Sequence, residues 1–489
     1  MKSNTGRPEG LHYIPILLIT LAAYGCRAQP QPSPSSSAPA KKSDAQVRPL
    51  TLTHPGVAKA VVGSTIEATA DGLPPGRTVD LLWQTVKGGW VIEDYFHFRG
   101  KKFTETSQPI ATAETSDDGR LVAHFTVPED YGGVHEVVVS DRGTPIAQGG
   151  VEVTQTFEIT PKEGPVGTPI EVRAHGLGWR TMESTWVVNW DNSEVGWVSA
   201  TGTRGTATAR LRASGDAGQH QVRVYSGYMG QSYLNHEQAP NAYLPRPAFT
   251  FRITPGHAPP AAYAEPYAKQ PVPAPDKTMA AASVTPSQGP VLTRATLKAA
   301  GLPANAPVSI VWGTWEGSRV SGNGFAPKEN ELMQQRTAGD GTLEASIDIP
   351  DDLGGLHTIS IRSGDKALAR GYFVIETSIV SITPARGPAG TPVSIHLKGV
   401  GWTDYDNIYI ATYDNSYMGY ACGFNSRGDV VINFTAAGSP GTHLIDLYPG
   451  IYQGPEGQQQ LYRLPQLTYA DDHPGNHIPA LRFAFEVTR

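Results

Sequence analysis

An internal duplication limits this chain more than any other feature of its sequence. The segment Ile159-Thr-Pro-Lys-Glu-Gly-Pro-Val-Gly-Thr-Pro-Ile170 returns as Ile382-Thr-Pro-Ala-Arg-Gly-Pro-Ala-Gly-Thr-Pro-Val393, 223 positions later. At the same offset Asp191-Asn192-Ser193 returns as Asp414-Asn415-Ser416, and His220 as His443. Upstream, Asp118-Gly119 matches Asp340-Gly341, and Gly132-Gly133-Val134-His135 matches Gly354-Gly355-Leu356-His357, at an offset of 222. The chain is therefore a pair of units used twice.

A fainter repeat inside each pair splits it into two units. Each of the four has a glycine-rich turn and a short apolar strand ending in an aromatic residue, Trp83, Trp190, Trp312 or Tyr413. A second glycine turn follows (Gly119, Gly205, Gly341, Gly428). Fifteen or sixteen residues later a Gly-x-His opens a β-rich run at His135, His220, His357 and His443. Those runs alternate or are β-branched, and helical periodicity is hard to find. With 53 glycines and 41 prolines, turns are over-represented. Short strands and regular turns in units of about 100 residues predict an all-β fold of four tandem immunoglobulin-like β-sandwiches, arranged as a duplicated pair.

The opening motif, Ile-Thr-Pro-x-x-Gly-Pro-x-Gly-Thr-Pro followed by Gly-x-Gly-Trp, resembles the start of an IPT/TIG domain, and Ser283-Val-Thr-Pro-Ser-Gln-Gly-Pro290 is a partial version. The resemblance is detailed in the second and fourth units. It implies an immunoglobulin-like sandwich with binding or spacing roles, a core aromatic at Trp179 and Trp402, and no shared catalytic residue.

The N-terminus holds Lys2 and Arg7, then an apolar run from Tyr13 to Tyr24. Twelve residues are too few for a membrane-spanning helix, which takes about 20, but suit a signal peptide. The run ends Ala23-Tyr24-Gly25-Cys26, which resembles the lipobox of bacterial lipoproteins; the family usually has Leu at Ala23 and a small residue at Tyr24. The resemblance implies a lipid on Cys26, membrane attachment through it, and an address at the cell envelope. Ordinary cleavage after Ala28 is the other reading. Residues 29–40, QPQPSPSSSAPA, read as a Pro/Ser tether. The expected division is 1–25 signal peptide, 26–49 lipidated cysteine and tether, 50–153 first domain, 154–254 second, 255–282 Pro/Ala-rich linker, 283–377 third and 378–489 fourth. The linker reads as a jointed spacer between two rigid rods.

Net charge is −6 without charged blocks, so neither a nucleic-acid surface nor a coiled coil is expected. Cys26 and Cys422 are the two cysteines, so there is no disulfide framework. Cys422 takes the place of Ser199 and reads as a small buried residue. The four Gly-x-His histidines read as structural, and Asp191-Asn192 and Asp414-Asn415 as Asx turns. Cofactors are not expected. A weak metal candidate is Asp471 and Asp472 with His473 and His477, which would serve a cryptic metal-dependent enzyme or hydrolase accessory. No nucleophile-elbow, His-Glu-x-x-His or phosphate-loop motif occurs. Residues 227–247 and 450–479 are tyrosine-rich insertions between strands that end at one side of a sandwich. Tyr228, Tyr233, Tyr243, Tyr452, Tyr462 and Tyr469 are the ligand candidates, with ring faces suited to sugars. Residues 87–109 and 316–335 read as variable loops in the first and third units. The leading expectation is a non-catalytic binding or spacer protein with a protein or polysaccharide partner; a carbohydrate-binding surface protein is the alternative.

Overall fold

The structure, a computed structural model, describes residues 47–489 apart from 57–58, 95, 229, 319–323, 426, 454–459, 462–463 and 476–477. Cys26, Tyr462 and His477 thus lie outside the described residues, as does the whole N-terminal segment. Each unit is a β-sandwich of a three-stranded sheet facing a larger one. In the first, Thr51–Thr53, Thr65–Ala70 and Leu121–Thr126 form the small sheet. The large sheet runs in the order Arg48–Pro49, Thr144–Val153, Gly133–Asp141, Thr78–Glu93, His97–Glu114. Period-two patterning builds the core: Leu121, Ala123 and Phe125 point in, Val122, His124 and Thr126 out. The other three units repeat this plan, so the chain is all-β with tandem immunoglobulin-like sandwiches.

The repeated aromatic and the repeated histidine turn out to be one device. His135 stacks on Trp83 (centroids 4.3 Å apart), His357 on Trp312 (4.4 Å), His220 on Trp190 (5.1 Å) and His443 on Tyr413 (5.5 Å). Their ring nitrogens lie beside protein oxygens: Gln84 O and Tyr131 O for His135, Gly313 O and Leu353 O for His357. In the second and fourth domains a carboxylate replaces one carbonyl, Asp191 for His220 and Asp414 for His443. The same carboxylates accept from the Gln221 and Leu444 amides. The duplicated Asp-Asn turn therefore clamps the histidine strand.

Within each pair the junction repeats as well. Gly132 N donates to Leu177 O and Gly354 N to Val400 O. A Cβ on Gly132 would lie 1.9 Å from Gly176 O, and one on Gly354 2.0 Å from Gly399 O. The first glycine of each Gly-Gly-x-His is thus the point where two domains' backbones touch. Trp402 is buried as expected and Trp179 half-buried, and both stand at these junctions: Trp179 is 5.4 Å from His135, and Trp402 stacks on Trp315 at 4.1 Å.

Three expectations are corrected. The proline-rich linker is not a free joint: Ala262–Ala264, three successive residues with amides to donate, pairs with the final strand Leu481–Thr488. Glu265 then bridges to Arg482 at 2.7 Å. The two pairs are not separate rods either. Arg212 and Asp446 form a buried ion pair at 2.5 Å, and Ser193 Oγ meets its repeat mate Ser416 Oγ at 3.0 Å. Residues 87–93, 97–109, 316–317 and 325–335 are not loops but lie in the arms of long hairpins, Thr78–Glu93 with His97–Glu114 and Pro307–Gly317 with Phe325–Arg336.

Candidate functional site

The Ser193–Ser416 contact places the outermost strands of the second and fourth domains side by side, Ser193–Val198 and Ser416–Cys422. Both pair with the preceding strand in one register: Val187 faces Trp197 as Ile410 faces Tyr420, and Val188 faces Gly196 as Ala411 faces Gly419. Their outer edges differ. In the second domain residues 464–472, from the fourth domain's insertion, lie along the edge. Trp197 N donates to Pro465 O (2.8 Å), Leu467 N to Trp197 O (2.8 Å) and the Trp197 indole to Leu464 O (3.0 Å). Leu464, Ile451 and Phe98 complete the apolar seal over Trp197.

The seal ends on Asp472, which is buried. Its carboxylate accepts from Ser199 Oγ (2.6 Å), Thr201 N (2.7 Å), Gly202 N (2.6 Å) and Trp90 Nε1 (3.2 Å). Burial raises its pKa against the opposing pull of those donors and of the Lys101 charge. Lys101 is itself desolvated between the Trp90 and Trp197 rings, which lowers its pKa to about 8 despite Asp472. The Lys101 ammonium donates to Ser184 O at 3.1 Å.

Among the described residues the fourth domain's equivalent edge is open. Tyr417, Met418 and Tyr420 are 41%, 37% and 49% exposed, and Phe424 follows them to the surface. The second domain's own insertion does not cross to cover them. It folds back: Ser232 N donates to Glu194 Oε1 (2.6 Å) and Asn241 Nδ2 to Ser226 Oγ (2.5 Å). Ser416–Cys422 is a terminal strand of its sheet among the described residues. An apolar strip along a sheet edge is a candidate docking surface, because covering apolar area is favourable and an edge strand is a template for further pairing.

The predicted site residues are scattered by comparison. Tyr469 is 1% exposed and bonds Glu265 and Arg482, so it belongs to the core rather than to a ligand. Tyr243 is exposed overall, but desolvation of its hydroxyl, followed by that hydroxyl's 2.6 Å hydrogen bond to Glu183 Oε1, pushes its pKa up to about 12. Tyr233 is half-buried and its amide donates to Ser226 O. The side chains of Tyr228 and Tyr452 lie outside the described residues.

Of the metal candidates, Asp471 bridges to Arg210 at 2.6 Å, away from the buried Asp472 carboxylate, and His473 Nδ1 accepts from Gly475 N. Those contacts leave the described members without a shared centre, and among the described residues no three His, Cys, Asp or Glu side chains gather to hold a metal. Cys422 is buried, its thiol 2.6 Å from Asn407 Oδ1. The strip residues were missed because nothing in a single repeat marks an uncovered edge. The signal was the pairwise contrast: Glu194 is replaced by Tyr417 on a strand whose copy is otherwise apolar.

No family model matches this chain, and no curated protein matches it. Solved structures similar to it include native alpha-2-macroglobulin of E. coli, with 10% identity over 88% of this chain and a TM-score of 0.16. This chain spans 30% of that protein's length. The E. coli adhesin FdeC is 13% identical over 68% of this chain and 98% of its own, with a TM-score of 0.16. The human OSCAR ligand-binding domain is 11% identical over 45% of this chain and 98% of its own, with a TM-score of 0.14. Superpositions this poor carry no functional argument.

Proposed function

We propose that this chain is a non-catalytic binding protein, tied to the cell envelope by a lipid on Cys26, with the Tyr417–Met418–Tyr420 strip as its contact surface. The observation that carries the binding role is the contrast between two edges of one register, one sealed by the chain itself and one left apolar and open. The lipobox-like Ala23-Tyr24-Gly25-Cys26 and the Pro/Ser tether support the address. The Ile-Thr-Pro openings support an IPT/TIG-like identity for the second and fourth domains. The non-catalytic part is supported by how the chemical groups are used: Ser199, Asp472 and the four repeated histidines are committed to holding strands together.

Two measurements test the proposal. Cys26→Ser should move the protein from the membrane fraction to the soluble fraction of the producing cells; retention in the membrane overturns the anchor. Hydroxyl-radical footprinting should show Tyr417, Met418 and Tyr420 protected in intact envelopes relative to the purified protein. Equal labelling in both overturns the contact surface.

A further inference from the structure

The docking surface has a template inside the same molecule. Leu467 seats over Gly196: a Cβ there would lie 2.4 Å from Pro465 O and 2.7 Å from Leu467 Cγ. Gly419 is the repeat mate of Gly196, at the same register against the neighbouring strand, and a Cβ there would meet nothing within 4 Å. Beside it stands Tyr420, the mate of Trp197, the residue whose amide, carbonyl and indole hold the covering segment. The shared register turns the Tyr420 amide and carbonyl outward as it does those of Trp197. The surface is continuous with the contact between the two pairs, since Ser416 at its start touches Ser193.

We propose, resting on the binding role above, that the Ser416–Cys422 edge takes an extended, leucine-bearing polypeptide segment of a partner protein by parallel strand addition. One leucine fills the seat over Gly419 and another packs on the Tyr420 ring, as Leu467 and Leu464 do at Gly196 and Trp197. Strand addition supplies main-chain hydrogen bonds for affinity, and the two seats supply the choice of side chain. The spacing is specific: Leu464 and Leu467 stand three residues apart with proline between them, and Pro465 needs no amide because its carbonyl makes the bond. A sugar would use the ring of Tyr420 but not the edge amides or the glycine seat.

The probe is a synthetic peptide of residues 464–472, titrated against the intact protein by fluorescence anisotropy, with a control in which both leucines are serine. The expected result is saturable binding that the control lacks, weakened at least about tenfold by Tyr420→Arg and by Met418→Arg. Both positions are exposed, and an unchanged thermal unfolding midpoint in each variant establishes that the fold is intact. No binding, or binding indifferent to both substitutions, overturns the inference. So does concentration-dependent dimerisation abolished by the same variants, which would make the occupant a second copy. Protection of Met418 in envelopes without peptide binding would leave the binding role standing and remove only the polypeptide partner.

Discussion

Trp197 and Tyr420 occupy one place in two copies of one domain, yet the first is 2% exposed and the second 49%. Their strands share register and glycine position, so pairing within the sheet does not make the difference. It arises from the insertions. Residues 464–472 of the longer insertion cross to the other domain, whereas Asn241 and Ser232 of the shorter one close on their own domain. A duplicated scaffold with unequal insertions leaves one edge satisfied and one exposed, which separates stability from recognition within one architecture.

Stability should show that separation most strongly. Trp197→Ala removes a buried indole and its bond to Leu464, and should cost about 3–5 kcal/mol in urea unfolding. Tyr420→Ala, at the mate position, should stay within about 0.5 kcal/mol. Comparable losses at both sites would mean that the exposed strip is also structural, and the comparison would fail. Asp472→Ala comes next. It leaves the Ser199 hydroxyl and the Thr201 and Gly202 amides without their acceptor, for about 3 kcal/mol. It should also free the covering segment. Hydrogen exchange at the Trp197 and Leu467 amides should then accelerate, while the Tyr420 amide, which has no cover to lose, should not change.

How much of this was legible in the sequence depends on the distance over which each feature is determined. The sandwiches follow from local alternation and turn chemistry, so the four-unit plan could be read directly. The stacked pairs were visible as two separate repeats, aromatic and histidine, because each lies on its own strand and their contact is tertiary. Packing between the pairs could not be read. Arg212 and Asp446 lie in different domains, and nothing local marks either as a buried partner. Tyr469 was misread for a related reason: an irregular insertion has no period from which to tell inward from outward side chains. Gly132 and Gly354 stand in the sequence only as members of a repeated segment, whereas their constraint is the neighbouring domain's carbonyl.

The smallest expected effect concerns the histidine clamp of the open domain. Burial works against a charge on His443, but the Ser439 carbonyl and the Asp414 carboxylate outweigh it, with Asp216 of the second domain adding to them, and its pKa is raised above 6.5. His257 lines the same cleft between the two domains. A raised folded-state pKa means that the folded protein holds the proton more tightly than the unfolded chain does. The stabilisation is therefore complete below pH 6.5 and is lost as pH rises through the folded value. Asp414→Asn removes the carboxylate that holds the charge, so urea midpoints measured from pH 6 to 8 should fall less steeply in the variant than in the parent. An unchanged slope would assign the pH dependence to another group. A slope lost on Asp216→Asn instead would place its origin in the contact between the pairs rather than in the clamp within the domain.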